Sequence, residues 1–284
     1  MSAAGAASRG PLVMKFGGEL LEDTTRLGGV VAAIVRVASH GVPLVIVHGG
    51  GREIDAALKL AGIKKEQVDG LRITDEATLD VVVAVLAGTV NTRFVAALTT
   101  AGVAAVGLTG ADAACGLSAP APPHRAVDGR LVDLGRVGIP SDRADVRLLS
   151  ALGSEGFVPV IASIGLDRDG RLLNVNADTF AGHVASRLGA RRLVIAGTTA
   201  GVLDDAGATV SVLDPAAVER TIGGGAATAG MVAKLRACEH ALSGGVADVV
   251  IVDGRDRVAL EAAALAQPTA TATRVVLTAK VGTR

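Results

Sequence analysis

The chain has 284 residues, half of them hydrophobic, with 28 basic and 28 acidic side chains. A net charge of zero argues against a nucleic-acid or membrane-surface protein, and the scarcity of aromatic residues argues against base-stacking sites. No apolar run reaches the roughly 18 residues of a membrane span. The two cysteines, Cys115 and Cys238, have neither metal-ligand spacing nor a disulfide pattern, so a reducing cytoplasm is the simplest setting.

Two short apolar strands near the start of the chain each end in glycines. Residues 12–16 run into a Gly-Gly pair, residues 44–48 run into three glycines, and helical spacing follows over 25–39 and 52–60. Ligands bind at the carboxyl ends of parallel strands, where glycine turns expose backbone N–H groups to an anion. Glycines alone are equally compatible with tight turns.

Further along, strands continue to alternate with helices, and nearly every strand ends in glycine. The pattern predicts at least seven strands, including 104–108, 157–162, 192–196, 246–252 and 275–277. Residues 76–100 are predicted to be helical with a possible interruption at Gly88. Residues 115–145 predict small hairpins that form a lid, and 223–230 predict a flexible loop. The fold class is therefore α/β.

Four charged residues stand out by their positions. Lys15, inside the first strand, reaches either water or a phosphate group. Arg72, ahead of a predicted helix, is either a surface residue or a clamp for a carboxylate. Asp178 is either a helix N-cap or a site residue. Lys234, in the first turn of a helix predicted to begin at Met231, is either exposed or faces an anion.

Two lysines near backbone N–H groups fit phosphoryl transfer, which needs positioning and charge neutralisation more than covalent chemistry. Lys15 and Lys234 can neutralise the transferring group from opposite sides, and Asp178 can hold both ammonium groups. The Gly-Lys-Ser/Thr pattern of the P-loop is absent from the sequence, as is a His/Cys ligand cluster.

Five ordered motifs resemble the amino acid kinase family over about residues 12–280. They are Lys15-Phe16-Gly17-Gly18, His48-Gly49-Gly50-Gly51, Gly70-Leu71-Arg72-Ile73-Thr74, Asn174-Val175-Asn176-Ala177-Asp178 and Gly230-Met231-Val232-Ala233-Lys234. Within that family the set is most similar to the kinases that act on N-acetylglutamate in arginine biosynthesis.

The resemblance implies an open three-layer αβα sandwich with a mainly parallel central sheet. It implies a disordered tail over residues 1–11, an amino-acid-binding lobe over 12–173 and a nucleotide-binding lobe over 174–284. The implied reaction moves the γ-phosphoryl group of ATP to the side-chain carboxylate of N-acetyl-L-glutamate. Mg²⁺ is carried by the nucleotide, with no separate metal site. A carboxylate is ionised at neutral pH, so no general base is needed.

Residue roles also follow from the resemblance. Catalysis falls to Lys15 and Lys234, which stabilise the transferring phosphoryl group, and to Asp178, which orients them. The other implied substrate contacts are Gly50, Gly51, Arg72 and Asn174, and the other implied nucleotide or phosphate contacts are Gly17, Gly18, Thr198 and Gly230.

The sequence departs from the family pattern at two points. Gly197-Thr198-Thr199 stands where related kinases commonly have an acidic residue, and Glu19 stands where a smaller or neutral residue is usual. The N-terminal segment also lacks the amphipathic pattern of the extra helix with which arginine-inhibited members build hexamers. We therefore expect a cytoplasmic homodimer without arginine feedback.

Two other functions remain open from the sequence. One is a kinase acting on aminoadipate or glutamate bound to an acidic carrier protein. A basic rim would favour it, and five arginines lie in or beside the lid segment, namely Arg125, Arg130, Arg136, Arg143 and Arg147. The other is a non-catalytic amino-acid or nucleotide sensor, against which the combination of Lys15, Asp178 and Lys234 argues.

Overall fold

The computed structural model describes residues 10–224 and 228–277. Residues 1–9 of the predicted tail and residues 225–227 of the predicted loop lie outside the described residues. Pro11 belongs to the fold, because its carbonyl accepts a hydrogen bond from the Arg191 N–H at 3.1 Å.

The strands are β1 (Leu12–Phe16), β2 (Leu44–His48), β3 (Gln67–Val68), β4 (Leu71–Arg72), β5 (Ala105–Thr109), β6 (Ser118–Pro120), β7 (His124–Arg125), β8 (Leu131–Val132), β9 (Val137–Pro140), β10 (Val158–Ala162), β11 (Ile164–Leu166), β12 (Leu172–Val175), β13 (Arg192–Gly197), β14 (Val212–Leu213), β15 (Val249–Asp253) and β16 (Ala272–Val275). The α-helices are α1 (Thr24–Ala38), α2 (Gly51–Leu60), α3 (Glu76–Val83), α4 (Asn91–Thr100), α5 (Arg147–Ser154), α6 (Ala177–Arg187), α7 (Pro215–Gly223), α8 (Ala229–Ser243) and α9 (Arg257–Ala264).

Within the described residues, the main sheet has eight strands in the order β14-β16-β15-β13-β1-β2-β10-β5. Every neighbouring pair is parallel except β15 and β16. The central strands β1 and β2 are buried along their whole length, as their mostly apolar sequences predict for a sheet covered on both faces. The predicted α/β class and mainly parallel sheet are confirmed.

Helices cover both faces of this sheet and create two apolar cores. Leu12, Met14 and Phe16 of β1 point into the core beneath α1, α2, α4 and α9. Val13 points into the opposite core, beneath α5, α6, α7 and α8. Because side chains alternate along a strand, Lys15 lies on the same face as Val13 and is directed toward α6 and α8.

The segment Glu76–Thr100 is one continuous helix of 25 residues. A π-helical stretch, Ala84–Val90, joins α3 to α4 and contains Gly88. The predicted interruption is therefore a local change of hydrogen bonding and not a break in the helix. In the described part of the chain this is the one helix long and apolar enough to cross a membrane. Its inward side, including Phe94 and Leu98, is fully buried in the core.

The segment predicted as a lid forms smaller sheets. Strands β6, β9, β12 and β11 form a four-stranded sheet, and β7 pairs with β8 in a separate hairpin. The loop predicted over 223–230 is shorter than expected, because Gly223 ends α7 and Gly230 is the second residue of α8. Lys234 consequently lies in the second turn of α8, and its predicted place in the first turn is wrong.

Candidate active site

The two glycine turns predicted from sequence meet at the carboxyl edge of the main sheet. Strand pairing aligns Phe16 with His48 and with Ala196, so the turns after β1, β2 and β13 lie side by side. A Cβ added to Gly18 would come within 2.6 Å of the Gly50 Cα. A side chain cannot fit at Gly18, so the two backbone turns touch because this position is glycine.

Gly50 is also the N-cap of α2, and no side chain caps this helix. The first N–H groups of α2 are thus free of a side-chain acceptor beside the turn after β1. Unsatisfied N–H groups and the positive end of the helix dipole together favour an anion at this place.

Asp178 lies between two lysines at this edge. Its Oδ1 is 2.9 Å from the Lys15 Nζ, and its Oδ2 is 4.0 Å from the Lys234 Nζ. All three side chains are at least 87% buried. Asn176, not Asp178, caps α6, because its side-chain oxygen accepts hydrogen bonds from the N–H groups of Asp178 and Thr179. The carboxylate of Asp178 is therefore left to hold the lysines.

The close packing of α6 against α8 brings Lys234 to this point. A Cβ on Gly182 of α6 would lie 2.9 Å from the Ala237 carbonyl oxygen of α8. With glycine at that position the two helices approach closely. Lys234, one turn before Ala237, then reaches Asp178 from the side opposite the strand that carries Lys15.

Burial and charge act in opposite directions on this trio. Burial favours the neutral acid, but the positive charges of Lys15 and Lys234 outweigh it and hold the pKa of Asp178 below its ordinary value of 3.8. Burial lowers the pKa of Lys234 from its ordinary value, against the attraction of Asp178. Asp178 is thus ionised at neutral pH and anchors two cations.

A cavity of about 280 Å³ opens in front of these groups. The predicted site residues that line it are Lys15, Gly17, Gly18, Gly50, Gly51, Arg72, Asn174 and Asp178. Arg72 forms an ion pair with Asp55, and its Nη1 is buried without a hydrogen-bond partner among the described residues. A buried donor of this kind is costly unless a ligand accepts from it.

Sequence reasoning missed several residues around the same cavity. Ser163, directly after β10, is buried and lines it. His48, left without a role, is fully buried, and its Nε2 lies 2.9 Å from the Nδ2 of Asn91, which also donates to the Val160 carbonyl. The Nδ1 of His48 lies 3.3 Å from the Gly49 carbonyl oxygen. This network ties the second glycine turn to α4 and β10.

A second cavity of about 200 Å³ lies beyond β13, against α7 and α8. Thr199, Gly201, Thr228 and Met231 are among its lining residues. Thr198, half-buried in the turn after β13, lines neither this cavity nor the first, and Gly230 is exposed at the start of α8. Gly197 approaches Lys234, since a Cβ there would be 3.4 Å from its Nζ.

Comparisons with known proteins identify relatives of this chain. The family model of the amino acid kinase family matches residues 10–253. An acetylglutamate kinase from Parvibaculum lavamentivorans is 39% identical over 252 residues, covering 87% of this chain and 82% of that protein. One from Sphingopyxis alaskensis is 40% identical over 248 residues, covering 86% and 82%.

Solved structures share the fold. N-acetylglutamate synthase from Neisseria gonorrhoeae, complexed with coenzyme A and N-acetyl-glutamate, is 25% identical with a TM-score of 0.80, over 95% of this chain and 60% of that one. Carbamate kinase from Giardia lamblia bound to AMP-PNP is 14% identical with a TM-score of 0.67, over 95% and 99%. The resemblance read from the motifs is confirmed, and the chain belongs to the amino acid kinase family.

Proposed function

We propose that this chain is an acetylglutamate kinase, which transfers the γ-phosphoryl group of ATP to the side-chain carboxylate of N-acetyl-L-glutamate. The product is N-acetyl-L-glutamyl 5-phosphate, an intermediate of arginine biosynthesis. The observation that carries the proposal is Asp178 between Lys15 and Lys234, at a cavity bordered by two touching glycine turns. The identity of the proposed substrate is inferred from the relatives, which are named acetylglutamate kinase.

In the proposed reaction, an oxygen of the substrate carboxylate attacks the γ-phosphorus as the bond from that phosphorus to the bridging oxygen of ADP breaks. The carboxylate is already ionised, so no proton has to be removed. Negative charge spreads over the transferring oxygens, and the ammonium groups of Lys15 and Lys234 stabilise it. Asp178 holds both lysines in place, which avoids reorganisation during the reaction.

We assign the part of the first cavity at Gly50, Gly51, Arg72 and Asn174 to the amino-acid substrate. The buried, unpartnered Nη1 of Arg72 suits the α-carboxylate, because a guanidinium binds carboxylates through directed hydrogen bonds. Asn174, whose Nδ2 donates to the Thr74 hydroxyl at 3.1 Å, keeps its side-chain oxygen for polar groups of the substrate. Backbone N–H groups at Gly50 and Gly51 contribute further donors.

We assign the phosphates of the nucleotide to the part of the first cavity at Gly17 and Gly18, and the nucleoside to the second cavity beyond β13. In this assignment Gly17 and Gly18 contact phosphate through their backbone N–H groups. Thr198 and Gly230 contact the nucleotide between its phosphates and its nucleoside, and the second cavity holds the base or sugar. This division corresponds to an amino-acid lobe over residues 12–173 and a nucleotide lobe over 174–284. Mg²⁺ arrives with the nucleotide and supplies charge neutralisation on its phosphates.

The acceptor is a small molecule in this proposal. An acidic carrier protein would need a basic rim that is free to bind it. Three of the five arginines in or beside the lid segment are instead paired with acids: Arg130 with Asp128, Arg136 with Glu76 and Arg147 with Asp145. Arg125 and Arg143 form no ion pair among the described residues. A sensor has no need of a buried carboxylate that holds two lysines beside a cavity. These contacts support the small-molecule kinase over both alternatives.

We also propose a homodimer. Strand β5 is an edge of the main sheet and, within the described residues, pairs only with β10. Beside it, the outward side of the helix Glu76–Thr100 exposes small residues at four-residue spacing, namely Ala84, Gly88, Thr92 and Ala96. An open edge next to a closely packable helix favours a second copy. Light scattering on the wild type and on Ala96→Glu tests this: a dimer that becomes a monomer is expected.

A cytoplasmic location completes the proposal. Both cysteines are buried free thiols, as is usual in a reducing compartment.

One assay tests the activity. The protein is incubated with MgATP and hydroxylamine, which traps acyl phosphates, and with N-acetylglutamate, glutamate, aspartate or carrier-bound aminoadipate. Signal with N-acetylglutamate alone is expected. Signal only with the carrier-bound acceptor contradicts the proposed substrate, and ATP binding without signal from any acceptor supports the sensor.

A further inference from the structure

Glu19 places an extra carboxylate in the region proposed for phosphate. It lies in the 3-10 turn Gly18–Leu20 directly after β1, is half-buried, and lines the same cavity as Lys15 and Asp178. The side chain folds back over the first glycine turn. A Cβ on Gly17 would be 2.5 Å from one of its carboxylate oxygens and 2.6 Å from the other.

The next acidic residues along the chain have partners, whereas Glu19 does not. Glu22 pairs with Arg52 at 3.0 Å, and Asp23 caps α1 by accepting from the Arg26 N–H at 2.8 Å. Among the described residues, the carboxylate of Glu19 forms neither a hydrogen bond nor an ion pair, and its attraction to Lys234 acts over a longer distance.

An unpaired carboxylate beside a polyphosphate is unfavourable, because like charges repel strongly in a partly buried site. A divalent cation between the two removes the repulsion. Mg²⁺ prefers oxygen ligands and is commonly bound by one or two carboxylates together with substrate phosphates. The described residues contain no cluster of three or more His, Cys, Asp and Glu side chains that could hold a metal by themselves. A single carboxylate that binds the cation together with phosphate oxygens of the nucleotide is consistent with the unpaired Glu19 and with the lack of such a cluster.

We propose that Glu19 is a protein ligand for the divalent cation that accompanies the nucleotide. The inference rests on the proposed kinase function and adds a metal ligand that the residue roles above do not include. Its consequence is that the cation strengthens nucleotide binding partly through the protein. Glu19 then binds the cation, and the cation binds the phosphate groups that Lys15 and Lys234 also contact.

Calorimetric titration with ADP, in the presence and absence of Mg²⁺, tests the inference without turnover. Three proteins are compared: the wild type, Glu19→Gln and the matched control Glu22→Gln, which alters an acid of the same segment that already has a partner. We expect Mg²⁺ to tighten ADP binding to the wild type and the control. In Glu19→Gln that tightening should fall by at least about tenfold, since even outer contacts of metal sites change metal affinity by 10–100-fold.

A second readout uses Mn²⁺ in place of Mg²⁺. The electron paramagnetic resonance signal of free Mn²⁺ reports its binding to the protein–ADP complex, which should weaken in Glu19→Gln and recover in part in Glu19→Asp. The inference is overturned if Glu19→Gln keeps the full effect of the metal. It is also overturned if Glu19→Gln binds ADP more tightly than the wild type, by the same factor with and without metal. Glu19 would then only repel the phosphates of ADP. A wild-type chain that binds no ADP in either condition contradicts the proposed function itself.

Discussion

Two buried aspartates, Asp178 and Asp248, have similar surroundings. The side chains of Asp178 and Asp248 are each 10% exposed, and each lies between two basic side chains. They occupy opposite edges of the main sheet. Asp178 lies where β1 and β13 end, while the Asp248 carbonyl accepts a hydrogen bond from Leu193 near the start of β13.

The difference between them lies in the donors that remain. At Asp248, Arg192 also donates to the Ala263 carbonyl, and Arg274 donates directly to the carboxylate. At Asp178, the Lys15 ammonium has one close acid, the Lys234 ammonium is 4.0 Å away, and a cavity opens beside them. An ammonium group has three N–H donors. The burial of an aspartate and the number of its basic neighbours therefore do not distinguish an active site from a structural ion cluster. N–H donors that face a cavity without a protein acceptor do distinguish them.

The largest effect is expected from removing a lysine at Asp178. Lys15→Ala or Lys234→Ala should reduce kcat by about 100- to 1000-fold, or roughly 2.7–4 kcal/mol of barrier, as for a lost oxyanion donor. Turnover in the hydroxylamine assay measures this, with Lys64→Ala, an exposed lysine, as the control. Near-normal turnover in either site variant would show that Asp178 and its lysines are structural.

The opposite result is expected at the other edge of the sheet. Asp248→Asn leaves Arg192 and Arg274 without their counter-charge, and breaking a buried pair is strongly destabilising. Because Arg274 is nearly half exposed, we expect about 2–3 kcal/mol of lost unfolding free energy. Urea denaturation measures the loss, and kcat at low temperature should stay unchanged. A fall in kcat at unchanged stability would remove the distinction between the two aspartates.

Local pattern was enough to predict the glycine turns, Lys15 and the parallel sheet. Apart from Lys15 and His48, strands β1 and β2 are apolar, and glycines follow both of them. Their parallel register places both turns at one edge of the sheet. The motif order then supplied Asp178 and Lys234, which lie on helices that contact each other only in the folded chain.

Contacts between distant segments could not be predicted in the same way. His48 and Asn91 are 43 residues apart, and Asp248 meets Arg192 across 56 residues. No local period signals either contact. The choice of Asn176 over Asp178 as the cap of α6 could not be predicted either, because both are good capping residues. In the structure α6 begins at Ala177, the side chain of Asn176 accepts the hydrogen bonds of the cap, and Asp178 contacts Lys15 and Lys234 instead.

Arg72 is intermediate between the two aspartate clusters, because it has one acidic partner and one spare donor. Arg72→Ala should raise the KM for N-acetylglutamate by about 10- to 100-fold, or roughly 1.5–3 kcal/mol for a lost charged hydrogen bond, with a smaller change in kcat. The matched control is Lys65→Ala, since Lys65 also pairs with Asp55, at 2.8 Å. An equal rise of KM in both variants would show that the effect comes from the loss of a partner for Asp55, and not from the loss of a contact with the substrate.

The smallest effect concerns His48, which supports the second glycine turn without charge. Burial lowers the pKa of His48 from 6.5 to about 4. Between these values the unfolded chain binds a proton that the folded chain does not, so stability falls as the pH falls, by about 1.4 kcal/mol per pH unit.

The pKa of Asp178 lies below 3.8, so its contribution to stability is lost only at a pH lower than the range in which His48 acts. The effects of His48 and Asp178 on stability can therefore be measured separately. Urea denaturation between pH 7 and pH 4 should show that the stability of His48→Gln depends less steeply on pH than that of the wild type. The control is His40→Gln, at an exposed histidine. An unchanged slope in His48→Gln would mean that His48 is charged in the folded chain. The second glycine turn would then be held by charge, as the lysines are at Asp178.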